Sequence, residues 1–388
     1  MHRAFYTDMY QFIQDQHQLN SVLEIMNQSA VYALDSEFIK VDTFWPKLGV
    51  FQINVSDQVY LLDGVSLNLT PFWQKICSAQ QNIFHACSED IDLIYHYAQV
   101  NELNNVFDTQ IAMSFLGHGL QVSYQNALKH ILNIDIEKDQ TRSDWLARPL
   151  NDKQLCYAAN DVIYLKQLSH ELQHQLKQKQ LLNFVLEDCT SLTQEIAQET
   201  PTEELYLDVG NYRHSRRQLM QLQQLAVWRE QLIKALNVPR SFILKNATMI
   251  DLVEKNPKNH FQLSNIKQIR PNIIREYGKT ILDLLKFLPE KEEWPLNISR
   301  PIKHVTPEIA QCVEAHIHSV AQELDIPKDI LVRKKWLNEL YHHVVFQKYD
   351  KPFSPYLTGW RYEYITQPLL EILQHDAANL AQQMKVHK

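Results

Sequence analysis

Nearly all the strand-forming pattern in this 388-residue chain lies before about residue 190, and that asymmetry limits the folds open to it. "AVYALDSEFI", "GVFQINV" and "VYLLDG" follow in close order, the last two separated by the turn-like Ser56-Asp57, which is the pattern of a three-strand meander. "NIFHAC" then reads as a short buried strand leading into the helix "SEDIDLIYHYAQV", and "NVFDTQIAMSFLG" as a strand passing into helix. Thr70 and Pro71 open another helix, and Asn151 caps a long one running through "NDKQLCYAANDVIYLKQLSHELQHQLKQKQ". A meander followed by alternating strand and helix predicts an α/β domain over residues 1–200, with a mixed sheet and helices on its faces.

Beyond a polar linker, residues 211–290 carry helical pattern only, and after the proline- and charge-rich "LPEKEEWPLNISRPIKHVTPE" a second helical module covers 304–388. "IKALNVPRSFILKN" and "AQELDIPKDILVRK" share a helix, break and proline, so two copies of one small fold are expected. Charge divides along the same lines. Residues 1–200 hold 12 Lys and Arg against 24 Asp and Glu, whereas residues 211–287 hold 14 against 5. An acidic half joined to a basic module suggests a polyanionic partner. Five scattered cysteines fit a reducing, cytoplasmic setting, and no stretch of some 18 apolar residues suggests a membrane span. Seven glycines, with Gly117-His118-Gly119 the lone G-x-G, argue against a phosphate-binding loop.

The first strand raises a sharper question, because it carries Asp35 and Glu37. Residues two apart in a strand share a face, about 6–7 Å apart, and two unpaired anions there resist burial. Asp90 stands at a strand-to-helix junction in "HACSEDID", and Asp161 follows Tyr157 by four residues, one helical turn, in "YAANDVIYL". Four carboxylates from three elements can hold two divalent cations roughly 3.5–4 Å apart, the spacing of a phosphoryl-transfer clamp. All-oxygen ligands suit Mg²⁺ or Mn²⁺; the H-x-C of His85 and Cys87 lacks the further ligands zinc needs.

"LDSEF", "HACSED" and "YAAND" resemble the three motifs of the DEDD exonucleases, in the branch whose third motif is Y-x-x-x-D. "RSDWLARPL" resembles the segment that precedes that motif in the ribonuclease D family, and the helical modules resemble HRDC domains. Ser36 stands where threonine is common and Cys87 where glycine is common. The resemblance implies an RNase H-like 3′–5′ exonuclease domain followed by two small all-helical HRDC-type domains. It implies an exoribonuclease that releases nucleoside 5′-monophosphates and trims the 3′ ends of tRNA precursors and other structured RNAs; a monomer is the default expectation. Asp35 would bridge both metals, Glu37 and Asp161 would complete one site, Asp90 would support the other, and Tyr157 would orient the attacking water.

In the basic module Arg213, Arg216, Arg217, Arg229, Lys234, Arg240, Lys245, Arg270 and Arg275 are the candidates for RNA phosphate contact. A DNA exonuclease and a catalytically silent RNA-binding adaptor are the alternative readings, since the acids are indifferent to the sugar.

Overall fold

The computed structural model describes residues 9–136, 143–302, 304–346 and 352–384. They divide into two compact units. One comprises the residues up to Ile39, Pro46–Gln198 and Thr306–Asp376; the other comprises Lys40–Trp45, Glu199–Val305 and the residues from Ala377 onward.

The first unit is built on a six-stranded sheet of order β1-β4-β3-β2-β5-β6. The strands are β1 (Tyr10–Ile13), β2 (Val31–Ile39), β3 (Lys47–Val55), β4 (Gln58–Asp63), β5 (Gln81–Phe84) and β6 (Val106–Asp108). β2, β3 and β4 pair antiparallel, as the meander pattern predicts, and β1, β5 and β6 join in parallel. The mixed sheet follows the expectation. β1 and the helix α1 (Gln16–Met26) were not anticipated, because "YQFI" is too short and too polar to signal a strand alone. The other helices here are α2 (Thr70–Cys77), α3 (Ser88–Ala98), α4 (Thr109–Phe115), α5 (Tyr124–Leu132), α6 (Asp152–Ile163), α7 (Leu165–Gln178) and α8 (Leu182–Ala197).

Alternation along β3 assigns its two faces. Val50 packs with Leu61, Trp145, Ala158 and Ala159 on the α6 side, while Phe51 meets Phe72 and Trp73 edge-on at 5.3 and 5.0 Å on the other. The α6 side also buries Gln52 and Asn54. Asn54 Nδ2 donates to the carbonyls of Val162 and Ile163, both at 3.2 Å. These carbonyls close α6, so the single long helix expected from Asn151 is two helices that break at Tyr164.

The described part of the segment "RSDWLARPL" is pinned to the sheet by Arg148, whose guanidinium donates to both Asp63 carboxylate oxygens and to the carbonyls of Gly49 and Trp145. Burial acts to raise the Asp63 pKa, but Arg148 outweighs it and holds the carboxyl below its usual value. A depressed carboxylate pKa contributes stability above the unfolded value and loses it as pH falls through the folded one. Arg148→Ala should therefore cost about 2–4 kcal/mol at pH 7, with the deficit shrinking toward pH 3. Urea melts at both pH values check this; an equal deficit at each would exclude the ion pair as its cause.

The second unit is helical. α9 (Arg216–Leu236), α10 (Asn246–Lys255) and α11 (Pro271–Lys286) enclose a core that includes Leu219, Leu222, Leu225, Met249, Leu252 and Ile281. Ser215 and Gln218 form a capping box at the start of α9.

The segment Thr306–Asp376, expected as part of a separate module, lies in the first unit. It contains α12 (Pro307–Leu324), α13 (Lys334–Val345) and α14 (Gln367–Gln374). A buried ion pair joins this segment to α8. Arg361, at 1% exposure, donates to both carboxylate oxygens of Asp188 on α8 and to the Ile330 carbonyl. Trp360 adds an indole hydrogen bond to Asp188 at 3.0 Å and stacks on Phe184 at 4.6 Å. Among the described residues no helix is long and apolar enough to cross a membrane.

Candidate active site

The sheet delivers its acids to one place. Asp35 and Glu37 project from β2, opposite Gln52 and Val50 of β3. Asp90 sits in the first turn of α3, where the helix N-terminus favours a negative charge. Tyr157 and Asp161 stand one turn apart on α6, whose start is fixed by the capping box of Asn151 and Gln154. All five line a single cavity of about 250 Å³. Asp35, Glu37 and Asp161 each place a carboxylate oxygen within 4.8 Å of the others. Asp90 stands beside this trio, its Oδ1 accepting the Ser36 hydroxyl. Ser36 therefore has a defined task, orienting Asp90.

The electrostatics of the cavity are lopsided. No lysine or arginine is among its lining residues. Burial first, then Asp90, Asp161 and Glu37, push the Asp35 pKa well above the carboxylate range. Burial with Asp161 and Asp90 raises Glu37 to about 9, and burial raises Asp90 and Asp161 to about 7 each. The Tyr157 phenol is also pushed up, by burial and by Asp161, Glu37 and Asp35. Acids this close without a counter-charge are consistent with divalent-cation binding, and an all-oxygen donor set suits a hard cation.

A testable consequence concerns pH. A carboxyl whose folded pKa is raised favours the fold when protonated, so its contribution fades as pH rises from about 4, the unfolded value, through the folded value. In EDTA the melting temperature should fall between pH 5 and pH 9, and Mg²⁺ or Mn²⁺ should remove most of that fall. Scanning fluorimetry with and without metal decides it; a fall unaltered by either cation would sink the idea.

Around the acids stand Tyr124, which the sequence does not single out, and His85, named above for its H-x-C with Cys87. Tyr124, at the start of α5, lines the cavity, and its buried hydroxyl has no well-formed hydrogen bond among the described residues. Nothing in the linear pattern marks it, because its neighbours are neither acidic nor glycine-rich. His85 is held by Thr109 Oγ1 and the Val122 carbonyl, each at 2.9 Å, which occupies both ring nitrogens. Behind it, Asp108 accepts the backbone N–H groups of Ala86 and Cys87 at 3.1 and 2.9 Å. These bonds hold Ala86 at φ +63°, a left-handed conformation costly for alanine, at the turn that launches α3 and Asp90.

The basic candidates of the second unit separate into classes. Arg229 is corrected: it is 4% exposed and donates to the Leu244 carbonyl and to Asn246 Oδ1, so it is enclosed in the helical unit and faces no phosphate. Arg216 is committed to the carbonyls of Lys291, Trp294 and Pro295, and Arg240 makes two bonds at 2.8 Å to Glu230. Lys234 lies 3.4 Å from Glu199. Arg213, Arg217, Lys245, Arg270 and Arg275 are exposed. Periodicity could not separate these classes, since a buried and a solvated arginine occupy equivalent positions in an amphipathic pattern.

Two sequence profiles match the chain. A 3′-5′ exonuclease profile matches residues 10–177 and an HRDC domain profile matches residues 218–285. Ribonuclease D of Pseudomonas paraeruginosa is 31% identical over 375 residues, covering 94% of this chain and 97% of the relative. Ribonuclease D of Psychromonas ingrahamii is 30% identical, covering 92% and 98%. The crystal structure of Escherichia coli RNase D, described as an exoribonuclease involved in structured RNA processing, superposes with a TM-score of 0.87 at 25% identity, covering 94% of this chain and 99% of that one. Fold and acid cluster together define a 3′–5′ exonuclease. At this identity and coverage the chain belongs to the ribonuclease D family, and it is an exoribonuclease.

Proposed function

We propose that this protein removes nucleoside 5′-monophosphates one at a time from RNA 3′ ends, with the 3′ extensions of tRNA precursors and other structured RNAs as substrates. The observation that carries this reading is the convergence of Asp35, Glu37, Asp90, Asp161 and Tyr157 on one cavity without a basic residue. Asp35, Glu37 and Asp161 have the donors for one divalent cation, and Asp35 with Asp90 for a second, Mg²⁺ or Mn²⁺. When bound, such cations lower the pKa of water and neutralise charge on the phosphate.

The chain's own groups do the rest. In the reaction a water oxygen bonds to phosphorus and the P–O3′ bond breaks, leaving a 3′-hydroxyl on the shortened RNA and a 5′-monophosphate. Tyr157, one helical turn from Asp161 and in the same cavity, serves by hydrogen bonding to the water or the phosphate. Tyr124 forms part of the wall of the same cavity. Exposed Arg213, Arg217, Lys245, Arg270 and Arg275 supply salt-sensitive contacts to the RNA backbone, independent of base sequence.

The experiment is hydrolysis of a 5′-labelled RNA with a single-stranded 3′ tail, beside a matched DNA, with Mg²⁺, Mn²⁺ or EDTA. A ladder shortening from the 3′ end, absent in EDTA and much slower on DNA, is the expected result. Equal degradation of DNA would overturn the RNA preference, and binding without cleavage in either metal would overturn the enzymatic reading.

A further inference from the structure

The first unit holds a second cavity, of about 230 Å³, that borders the catalytic one: Ala86 lines both. Ala86 and Ser88 reach it from the turn that launches α3, and Arg333 and Tyr356 reach it from the Thr306–Asp376 segment. Arg333 and Tyr356 lie outside both matched profiles, which end at residues 177 and 285. A chain leaving the catalytic cavity past Ala86 therefore meets side chains that belong to neither matched domain.

Two carboxylates line this cavity, and both are already engaged. Asp188 takes the Arg361 guanidinium and the Trp360 indole, and Asp108 accepts the backbone N–H groups of Ala86, Cys87 and Gln110. Arg333 is not engaged in this way. It is exposed and has no carboxylate partner among the described residues. Its guanidinium carbon lies 5.0 Å from the centre of the Trp336 ring and 5.8 Å from that of Tyr356. Two aromatic rings seat the planar cation without using its N–H donors, which leaves them available to a phosphate.

Tyr356 supplies an independent observation. The residue is 4% exposed, yet it lines the cavity. Its hydroxyl makes no hydrogen bond among the described residues and is not sealed from the cavity as the Tyr124 hydroxyl is. An open hydroxyl on an otherwise buried ring, beside an unpaired guanidinium, is a binding surface for a polar anionic group.

We propose that this cavity holds the RNA backbone phosphate next upstream of the scissile one, with Arg333 as its charged partner and the Tyr356 hydroxyl as a further donor. The proposal rests on the ribonuclease reading above and gives it a register. The exposed arginines of the helical unit address the RNA backbone in general, whereas Arg333 acts beside the catalytic cavity and so at a fixed place relative to the bond being cut.

The test compares two substrates in Mg²⁺: a dinucleoside monophosphate, whose one phosphate is the scissile one, and a longer single-stranded RNA. Arg333→Ala should lower kcat/KM on the longer RNA about tenfold, as loss of a charge-assisted hydrogen bond does, and leave the dinucleotide unchanged. In EDTA, fluorescence anisotropy of the longer RNA should show the slope of log K against log salt reduced by about 0.7 in Arg333→Ala and unchanged in Arg333→Lys. Tyr356→Phe should weaken the longer RNA alone and leave the slope unchanged; it decides the matter should Arg333→Ala fail to fold in a thermal melt. An equal loss on both substrates would mark Arg333 as structural and overturn the proposal, as would unaltered kinetics on the longer RNA. If the unaltered chain shortens neither substrate, the ribonuclease reading fails separately, and the anisotropy slopes still decide the phosphate contact.

Discussion

The Asp161→Asn variant is expected to lose at least about a thousandfold in kcat, roughly 4 kcal/mol of transition-state stabilisation, and yet to melt higher than the parent in EDTA at pH 8. Both effects arise from one geometry. Asp161 shares the cavity with Asp35 and Glu37, each oxygen within 4.8 Å of the others, and no cation among the lining residues offsets their charge. Ionising Asp161 there is costly, as its pKa of about 7 records, and the amide removes that cost. On the proposed mechanism the same substitution removes a carboxylate oxygen that would hold a cation. A cleavage assay and a melt on the same preparation measure both signs. Loss of activity with a lowered metal-free melting temperature would show ordinary structural damage, and retained activity would remove Asp161 from the site.

The second large effect lies far from the chemistry. Arg361→Ala should cost about 3–5 kcal/mol because it leaves the buried Asp188 carboxylate without its partner, which corresponds to a fall of roughly 10 °C in melting temperature. Replacing both partners, as Arg361→Met/Asp188→Leu, should cost much less, since a buried ion pair repays little more than its own desolvation. The contrast between single and double variants is the measurement. If the double variant is as unstable as Arg361→Ala, packing and not charge holds Thr306–Asp376 in its unit, through Trp360 on Phe184.

The acid cluster was legible early because its chemistry is local in sequence. Asp35 and Glu37 are two apart on a strand, and Tyr157 and Asp161 are four apart on a helix, so each pair shares a face whatever the rest of the chain does. The meander was legible for the same reason, as neighbouring strands joined by short turns. Tyr124 was not legible, since it reaches the cavity only because α5 packs beside the sheet, and no period in "SYQNALKHIL" reports a neighbour so distant in sequence. Arg229 misled in the opposite sense. It lies in a basic stretch and reads as surface, but it is buried beneath Leu244 and Asn246.

The two side-chain pairs of the cluster and the strand and helix bearing them follow from spacing, because side-chain direction repeats every two residues in a strand and every 3.6 in a helix, while the resemblance to the exonuclease motifs joined Asp90 to them. Which basic residues face solvent, where the long helix breaks and to which unit Thr306–Asp376 belongs depend on contacts between distant segments: Asn54 with the end of α6, and Arg361 with Asp188. Periodicity carries no information about such pairs. Burial and hydrogen-bond partnership are properties of the packed chain, and only its tertiary structure settles them.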